Sequence, residues 1–435
     1  MIRNFFVLIL VLFSLVGCGG GGGSSSSTPA PTPTTPAPTT PPAAGSEVPT
    51  PASLGEQTAN IQTVVASPMS APLMNCLVRV LDGACTFTNV PLIGMDTADP
   101  TIDVIMSRVI VSHDWMGVRF REILERMPPE VLLLMRGLTG IVISYDIRPS
   151  SYTSRTGAMY LDPDRMWLTE KERAVIDDEP DFRGEFAKKL DFIMLWRYVN
   201  NNTDIRAMDR NLDSISLRTA ALLYHELAHA NDFFPPQSID TISRSLPIQS
   251  ATTAVPSNRL INDLPLSSEV MRSLAQVSFN SGNIQPTAEE AALNSEDIAA
   301  EFPSDTANDY YNYSTQFEDL AMAFEEAMMF YSYGISRDVA VTNFPDSNSC
   351  GDYIVAWGQR NRISDPAVQA RSLLAVQQIL PERAAAIEAV LSDMPASTLM
   401  TPGVNWCDNI NLTASPTGLS LPGKAAPTVQ TIRPY

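Results

Sequence analysis

The residues with the most evident chemistry are His225, Glu226 and His229, in the run Leu222-Leu223-Tyr224-His225-Glu226-Leu227-Ala228-His229-Ala230. Histidines four apart project from one face of an α-helix, about one turn from each other. Their imidazoles can share one metal ion, and zinc suits this H-E-x-x-H spacing. A carboxylate beside the first histidine can act as general base toward a zinc-bound water. The chain has 3 histidines, and this pattern uses two of them. The expected chemistry is hydrolysis, with Zn2+ as cofactor.

Such a motif needs a helix to carry it. Asp213 or Ser214 can cap one, Ile215, Leu217, Ala221, Leu222 and Ala228 give it apolar contacts, and Pro235-Pro236 stops it. A catalytic zinc commonly has three protein ligands and one open position. Gly at 232 with His or Asp at 235 would extend the motif to the metzincin pattern; Asp232 and Pro235 exclude that class. His113, beside Asp114 at a predicted helix start, reads as structural or exposed. A second acidic helix start, Gln316-Phe317-Glu318-Asp319-Leu320-Ala321, has Ser314 or Thr315 as its cap, and Asp232 and Glu325 are further carboxylates in reserve for a third ligand.

The two segments together resemble the zincin metallopeptidases, and the second resembles the E-D-x-A helix of gluzincin-like families. There the first Glu completes a His-His-Glu zinc site. The resemblance implies a peptidase in which Glu226 is the general base and His225, His229 and Glu318 hold the metal. Thermolysin-like members have E-x-x-x-D, with the Asp orienting a histidine. Position 322 is Met here, so that partner comes from elsewhere, with Asp319 and Asp232 as candidates. Asn231 departs from the apolar residue of the longer zincin pattern. An oxyanion donor is also expected, and Tyr310, Tyr313, Tyr331 and Tyr333 lie close in sequence.

The surrounding pattern predicts an α+β fold, mainly helical and zincin-like, with a small mixed sheet above the H-E-x-x-H helix. Val104–Val111 reads as a strand, and Ser112 as the cap of a helix to about Met127. Pro128-Pro129 starts a short helix that Gly137 ends, and Leu138–Ser144 is a β-branched strand. Thr156–Pro163 and Met166–Thr169 read as one or two further strands. Residues 157–161 resemble the zincin rim strand whose free edge pairs with an extended substrate; an ordinary sheet strand is the other reading. Residues 170–212 read as mostly helical, with Phe186, Leu190, Ile193 and Trp196 as an apolar face. Residues 237–285 read as loop with short helical pieces, and Ala367–Leu391 as a helix pair broken at Pro381. The carboxylates between Ser273 and Ser336, a stretch without Lys or Arg, read as a solvated acidic face.

The ends of the chain carry a different signal. Arg3 precedes an apolar run from Phe5 to Val16, too short to span a bilayer comfortably and laid out as a secretory signal. Leu15-Val16-Gly17-Cys18 resembles the lipobox of bacterial lipoproteins. That resemblance implies cleavage before Cys18, lipid on its sulfur, and anchoring in the cell envelope; Gly19 leans it toward the outer membrane. Residues 1–18 are therefore expected to be a signal peptide and 19–53, rich in Gly, Ser, Thr and Pro, a disordered tether. Residues 54–435 are expected to form one catalytic domain with a loop-rich tail. Of the 5 cysteines, Cys76, Cys85, Cys350 and Cys407 remain, and local pairing favours Cys76–Cys85 and Cys350–Cys407 over a four-cysteine zinc site. A net charge of −19 disfavours nucleic acid as a partner. The expected partners are a peptide or protein substrate and a membrane reached through Cys18. The competing function is a catalytically silent zincin-like lipoprotein that binds or braces envelope components.

Overall fold

The computed structural model describes residues 60–177, 189–280, 284–347 and 349–412. The signal with Cys18, the 19–53 tether, Phe186 and the tail beyond residue 412 lie outside them. No described helix is long and apolar enough to cross a membrane.

Helices and strands are mixed, as expected of an α+β chain, but the described residues form two five-stranded sheets. In the first, β1 (Gln62–Thr63), β2 (Val109–Val111), β3 (Gly140–Ile143), β4 (Ser151–Thr153) and β5 (Ala158–Leu161) run in the order β1-β2-β3-β5-β4. β2, β3 and β5 are parallel and wholly buried, which explains their unbroken apolar sequences. At Gly140 a Cβ would meet Arg108 O and a Leu77 methyl at 2.8 Å, so the close approach of the chains there requires glycine.

Four local expectations change. Val104–Val111 splits into a helix (Ile102–Met106) and β2. Ser112 caps nothing: His113 holds the N-cap position of helix Asp114–Leu124, and Ser112 Oγ accepts from Tyr145 N at 2.9 Å. β5 is not a free edge, because β4 pairs antiparallel along it and is the outermost strand. Residues 166–169 form no strand.

The second sheet occupies segments read as helical or uninformative. β6 (Phe192–Asn200), β7 (Thr203–Asp204), β8 (Ser336–Asn343), β9 (Val355–Arg360) and β10 (Thr398–Leu399) run β10-β9-β8-β6-β7, all antiparallel. Asp338 is buried in its middle and takes two guanidinium groups, Arg197 Nε at 2.8 Å and Arg360 Nε at 2.6 Å. Arg197 also donates to Trp406 O at 2.8 Å and stands 3.8 Å over the Trp406 ring, which ties the C-terminal segment to the sheet. Cys350 and Cys407 lie in bonding position nearby, Cα atoms 5.6 Å apart, and Cys76 and Cys85 do so in the first half, 4.9 Å apart.

Two long helices lie side by side in the main core. The motif helix, Leu212–Phe233, is capped by Asn211, whose side chain accepts from Ser214 N at 2.9 Å while Ser214 Oγ accepts from Asn211 N at 3.1 Å. Ser214 thus completes the cap rather than forming it. Asn231, buried, donates to Leu134 O and Leu227 O at 2.9 and 2.8 Å and pins this helix to its short neighbour. The partner helix, Gln316–Tyr333, begins at the expected cap Thr315, which accepts from Glu318 N at 3.2 Å, and ends at Gly334 with φ +63°. Leu223, Tyr224 and Leu227 meet the Leu320 and Phe324 face at essentially zero exposure. Burial of each such side chain contributes roughly 1.5–3 kcal/mol. Helices Val255–Asp263 and Glu269–Phe279 replace much of the loop expected at 237–285. The acidic stretch is not all solvated: Asp305 and Asp309 are buried.

Candidate metal centre

The motif helix presents His225 and His229 one turn apart, their rings 4.9 Å between centroids and 85° to each other. The first turn of the partner helix presents Glu318. Its Oε2 lies 3.0 Å from His225 Nε2 and 3.3 Å from His229 Nε2, and the three donor atoms all fall within 4.8 Å of one another. A tetrahedral zinc with bonds of about 2.0–2.1 Å holds its donors about 3.4 Å apart. Two neutral-capable imidazoles and one carboxylate at this spacing fit that ion. Three protein donors leave a fourth position open. The side chains of His225, His229 and Glu318 keep 15%, 11% and 19% of their surface, so the cluster is reachable from solvent.

The imidazoles and carboxylates of the cluster strongly perturb one another. Burial alone would push the Glu318 carboxyl up, but His229 and the hydrogen bonds of both imidazoles hold it far below its usual range. Burial likewise opposes charge on His225, and hydrogen bonds to Glu318 and Glu325 overcome it and raise its pKa well above the ordinary value. Glu226, adjacent to His225 on the motif helix, is 5% exposed.

Glu325, held in reserve as a ligand, stands on the far side of His225. Its Oε2 is 3.1 Å from His225 Nδ1, and its Oε1 accepts from Tyr198 OH at 2.9 Å. It lies two helical turns beyond Glu318 and so faces the same helix. Both ring nitrogens of His225 face carboxylates; with Nδ1–H kept on Glu325, loss of the Nε2 proton would free that lone pair for a metal ion. Glu325 thus stands where a carboxylate can orient His225, a contact that Met322 cannot make. Neither Asp319 nor Asp232 hydrogen-bonds to a triad imidazole, although Asp232 feels the charge of His229 and has one buried oxygen without a hydrogen-bond partner. Asp319 accepts from Asn312 at 2.9 Å and pairs with Arg371. Asp232 accepts from Ser257 N at 2.8 Å, and burial pushes its carboxyl up to about 6.

Behind Glu325 lies a sealed charged layer. Arg337 donates to Asp309 at 2.5 Å and sits 4.7 Å over the Trp196 ring. Glu326, 1% exposed, accepts from Asn308 at 2.8 Å through one oxygen, and its other oxygen has no hydrogen-bond partner. Burial pushes the Glu326 carboxyl up to about 7; Arg337 opposes the shift, and Asp309 and Glu325 add to it.

The tyrosines separate clearly. Tyr310 pairs with Ser278 Oγ at 3.1 Å, Tyr313 donates to Asp305 at 3.0 Å, and Tyr333 contacts Met127 Sδ at 3.8 Å. Tyr331 packs against the main core. The tyrosine at the metal centre is Tyr311, whose ring stacks on His225 at 6.4 Å and 19°, with Phe279 edge-on at 4.9 Å. The sequence reading passed over it because four residues of one short turn, Tyr310–Tyr313, differ only in direction. His113 is buried against Tyr145 and Ser112 and takes no part in the triad.

The chain matches no protein-family model, no curated protein and no solved structure.

Proposed function

We propose that the chain is a zincin-like, zinc-dependent metallopeptidase. The observation that carries this reading is the meeting of His225 Nε2, His229 Nε2 and Glu318 Oε2 from two packed helices, with Glu226 beside His225. Zinc, when bound, supplies Lewis acidity that polarises a scissile carbonyl and makes water a better nucleophile. Glu226 takes the proton of the attacking water and delivers it to the leaving amine. Glu325 keeps His225 in the tautomer whose Nε2 faces the site. Tyr311, whose ring stacks on His225, is the phenol assigned to donate toward the developing oxyanion. The outermost position of β4 supports main-chain pairing with an extended peptide there. In this reading Cys18 carries the lipid, and the 19–53 segment holds the domain away from the envelope membrane, with the outer membrane as the favoured site.

The test joins metal content to hydrolysis. The purified chain should carry one zinc, and His225→Ala should lose it. Glu226→Gln should keep zinc and lose cleavage of a mixed peptide library. Equal inertness of wild type and Glu226→Gln, with zinc retained in both, would leave the silent binding lipoprotein as the function.

A further inference from the structure

Beside the triad lies an aromatic wall drawn from three separate elements. Phe233 is one turn beyond His229, on the same face of the motif helix. Phe317 directly precedes Glu318, and its ring lies 5.1 Å from that of Phe233. Tyr152, the middle residue of outermost strand β4, stacks on the other side of Phe233 at 5.8 Å and 18°.

All three residues keep part of their surface open, although the Tyr152 hydroxyl is itself buried, whereas Phe87, Phe120, Phe234, Phe302 and Phe324 are among the most completely sealed side chains. The contrast is sharpest between neighbours. Phe234 is fully buried edge-on to Phe87, while Phe233 turns the other way, toward the ligand side. Aromatic surface left partly in water next to convergent polar groups is the usual make-up of a binding pocket. The wall joins both a ligand-bearing helix and the edge strand on which a peptide main chain would lie.

We propose that Tyr152, Phe233 and Phe317 form the specificity surface of the site, taking a large apolar or aromatic side chain of the substrate beside the bond that is cut. This rests on the metallopeptidase reading and narrows it. The partner helix and its approach, Ser273 to Ser336, contain no Lys or Arg. The whole chain is strongly acidic, so an acidic side chain at this position is disfavoured. The preferred peptides therefore carry Phe, Tyr, Leu or Met there.

Two zinc-chelating probes differing only in side chain test this on the zinc-loaded full-length protein, by calorimetric binding rather than turnover. N-acetyl-phenylalanine hydroxamate should bind about ten- to a hundredfold tighter than the alanine analogue, since burying a phenyl ring adds that much affinity. Tyr152→Ala and Phe233→Leu should each shrink the ratio several-fold while zinc content and affinity for the alanine probe stay unchanged. Tyr152→Ala lies on an edge strand and guards against loss of fold in the helix variant. A ratio near one in wild type, or an unchanged ratio in both variants, overturns the proposal. Failure of the chain to take up zinc refutes the metal reading, and the specificity proposal falls with it; absence of binding by both probes to zinc-loaded protein overturns the specificity proposal alone.

Discussion

Replacing Glu325 tests whether a carboxylate two turns from the ligand Glu318 sets the metal affinity. Glu325 is buried and touches His225 Nδ1 at 3.1 Å and Tyr198 OH at 2.9 Å. Its loss to Ala leaves two buried donors without acceptors, at about 1–3 kcal/mol each. The imidazole also loses its orienting charge, and loss of such a partner lowers metal affinity about 10–100-fold, or about 1.4–2.7 kcal/mol. Glu325→Gln keeps the shape and an acceptor oxygen while removing the charge. Arg337 remains paired with Asp309 at 2.5 Å, so the neutral substitution strands no cation. The expected order of zinc affinity is wild type, then Glu325→Gln about tenfold weaker, then Glu325→Ala about a hundredfold weaker. Glu318→Ala should be weaker than either. Competition against a chromophoric chelator gives the affinities, and thermal unfolding of each apo-protein separates site effects from loss of fold. Wild-type affinity in a folded Glu325→Ala protein would refute the orienting role. An affinity lower than that of Glu318→Ala would mean the two glutamates had been assigned the wrong way round.

Two further outcomes follow from the same region. Glu326 has a folded pKa of about 7 against an ordinary 4.5, so the folded state holds a proton in that window that the unfolded chain releases. Its contribution to stability is complete below the lower value and is lost as pH rises through about 7. The gap of about 2.5 pH units at ~1.4 kcal/mol each makes the loss about 3 kcal/mol. Glu326→Gln should flatten the decline in denaturant stability between pH 5 and 8, and parallel profiles for the two proteins would contradict the burial argument. Thr315→Ala removes the cap of the partner helix at Glu318 N and should cost about 1 kcal/mol in unfolding experiments, with Thr315→Ser restoring most of it. No loss in the alanine variant would show that the first turn is held by other contacts.

What the sequence revealed was local. The H-E-x-x-H helix is legible because its ligands, apolar face and Pro stop are contiguous, and Glu318 through the resemblance of its segment to an E-D-x-A helix. β6 was not, since a strand buried on both faces loses its alternation, and Leu190, Ile193 and Trp196 then imitate helical spacing. Glu325 was legible as a reserve ligand but not as the partner of His225 Nδ1. Its role comes from His225 and Tyr198, which approach from the motif helix and from β6. Tyr311 and the Tyr152–Phe233–Phe317 wall share this property: their partners are distant in sequence, so no spacing rule finds them. Ser214 was misassigned by a few residues because Asn, Asp and Ser all accept at a helix start, and only reciprocal bonding identifies the cap.

The placement of the triad has a mechanical consequence. His225 and Glu318 are 93 positions apart in the chain, on helices otherwise held by packing and by the Tyr224–Ser332 and His225–Glu325 hydrogen bonds. An ion bound to both would be a removable cross-link closing a loop of that length. By chain-entropy reasoning such a closure restricts the unfolded ensemble by about 4–5 kcal/mol, comparable to a structural disulfide. Metal supply would then govern the lifetime of the fold. A starved molecule would open more often along the seam between the two helices, and the first peptide bonds to become vulnerable would be its own.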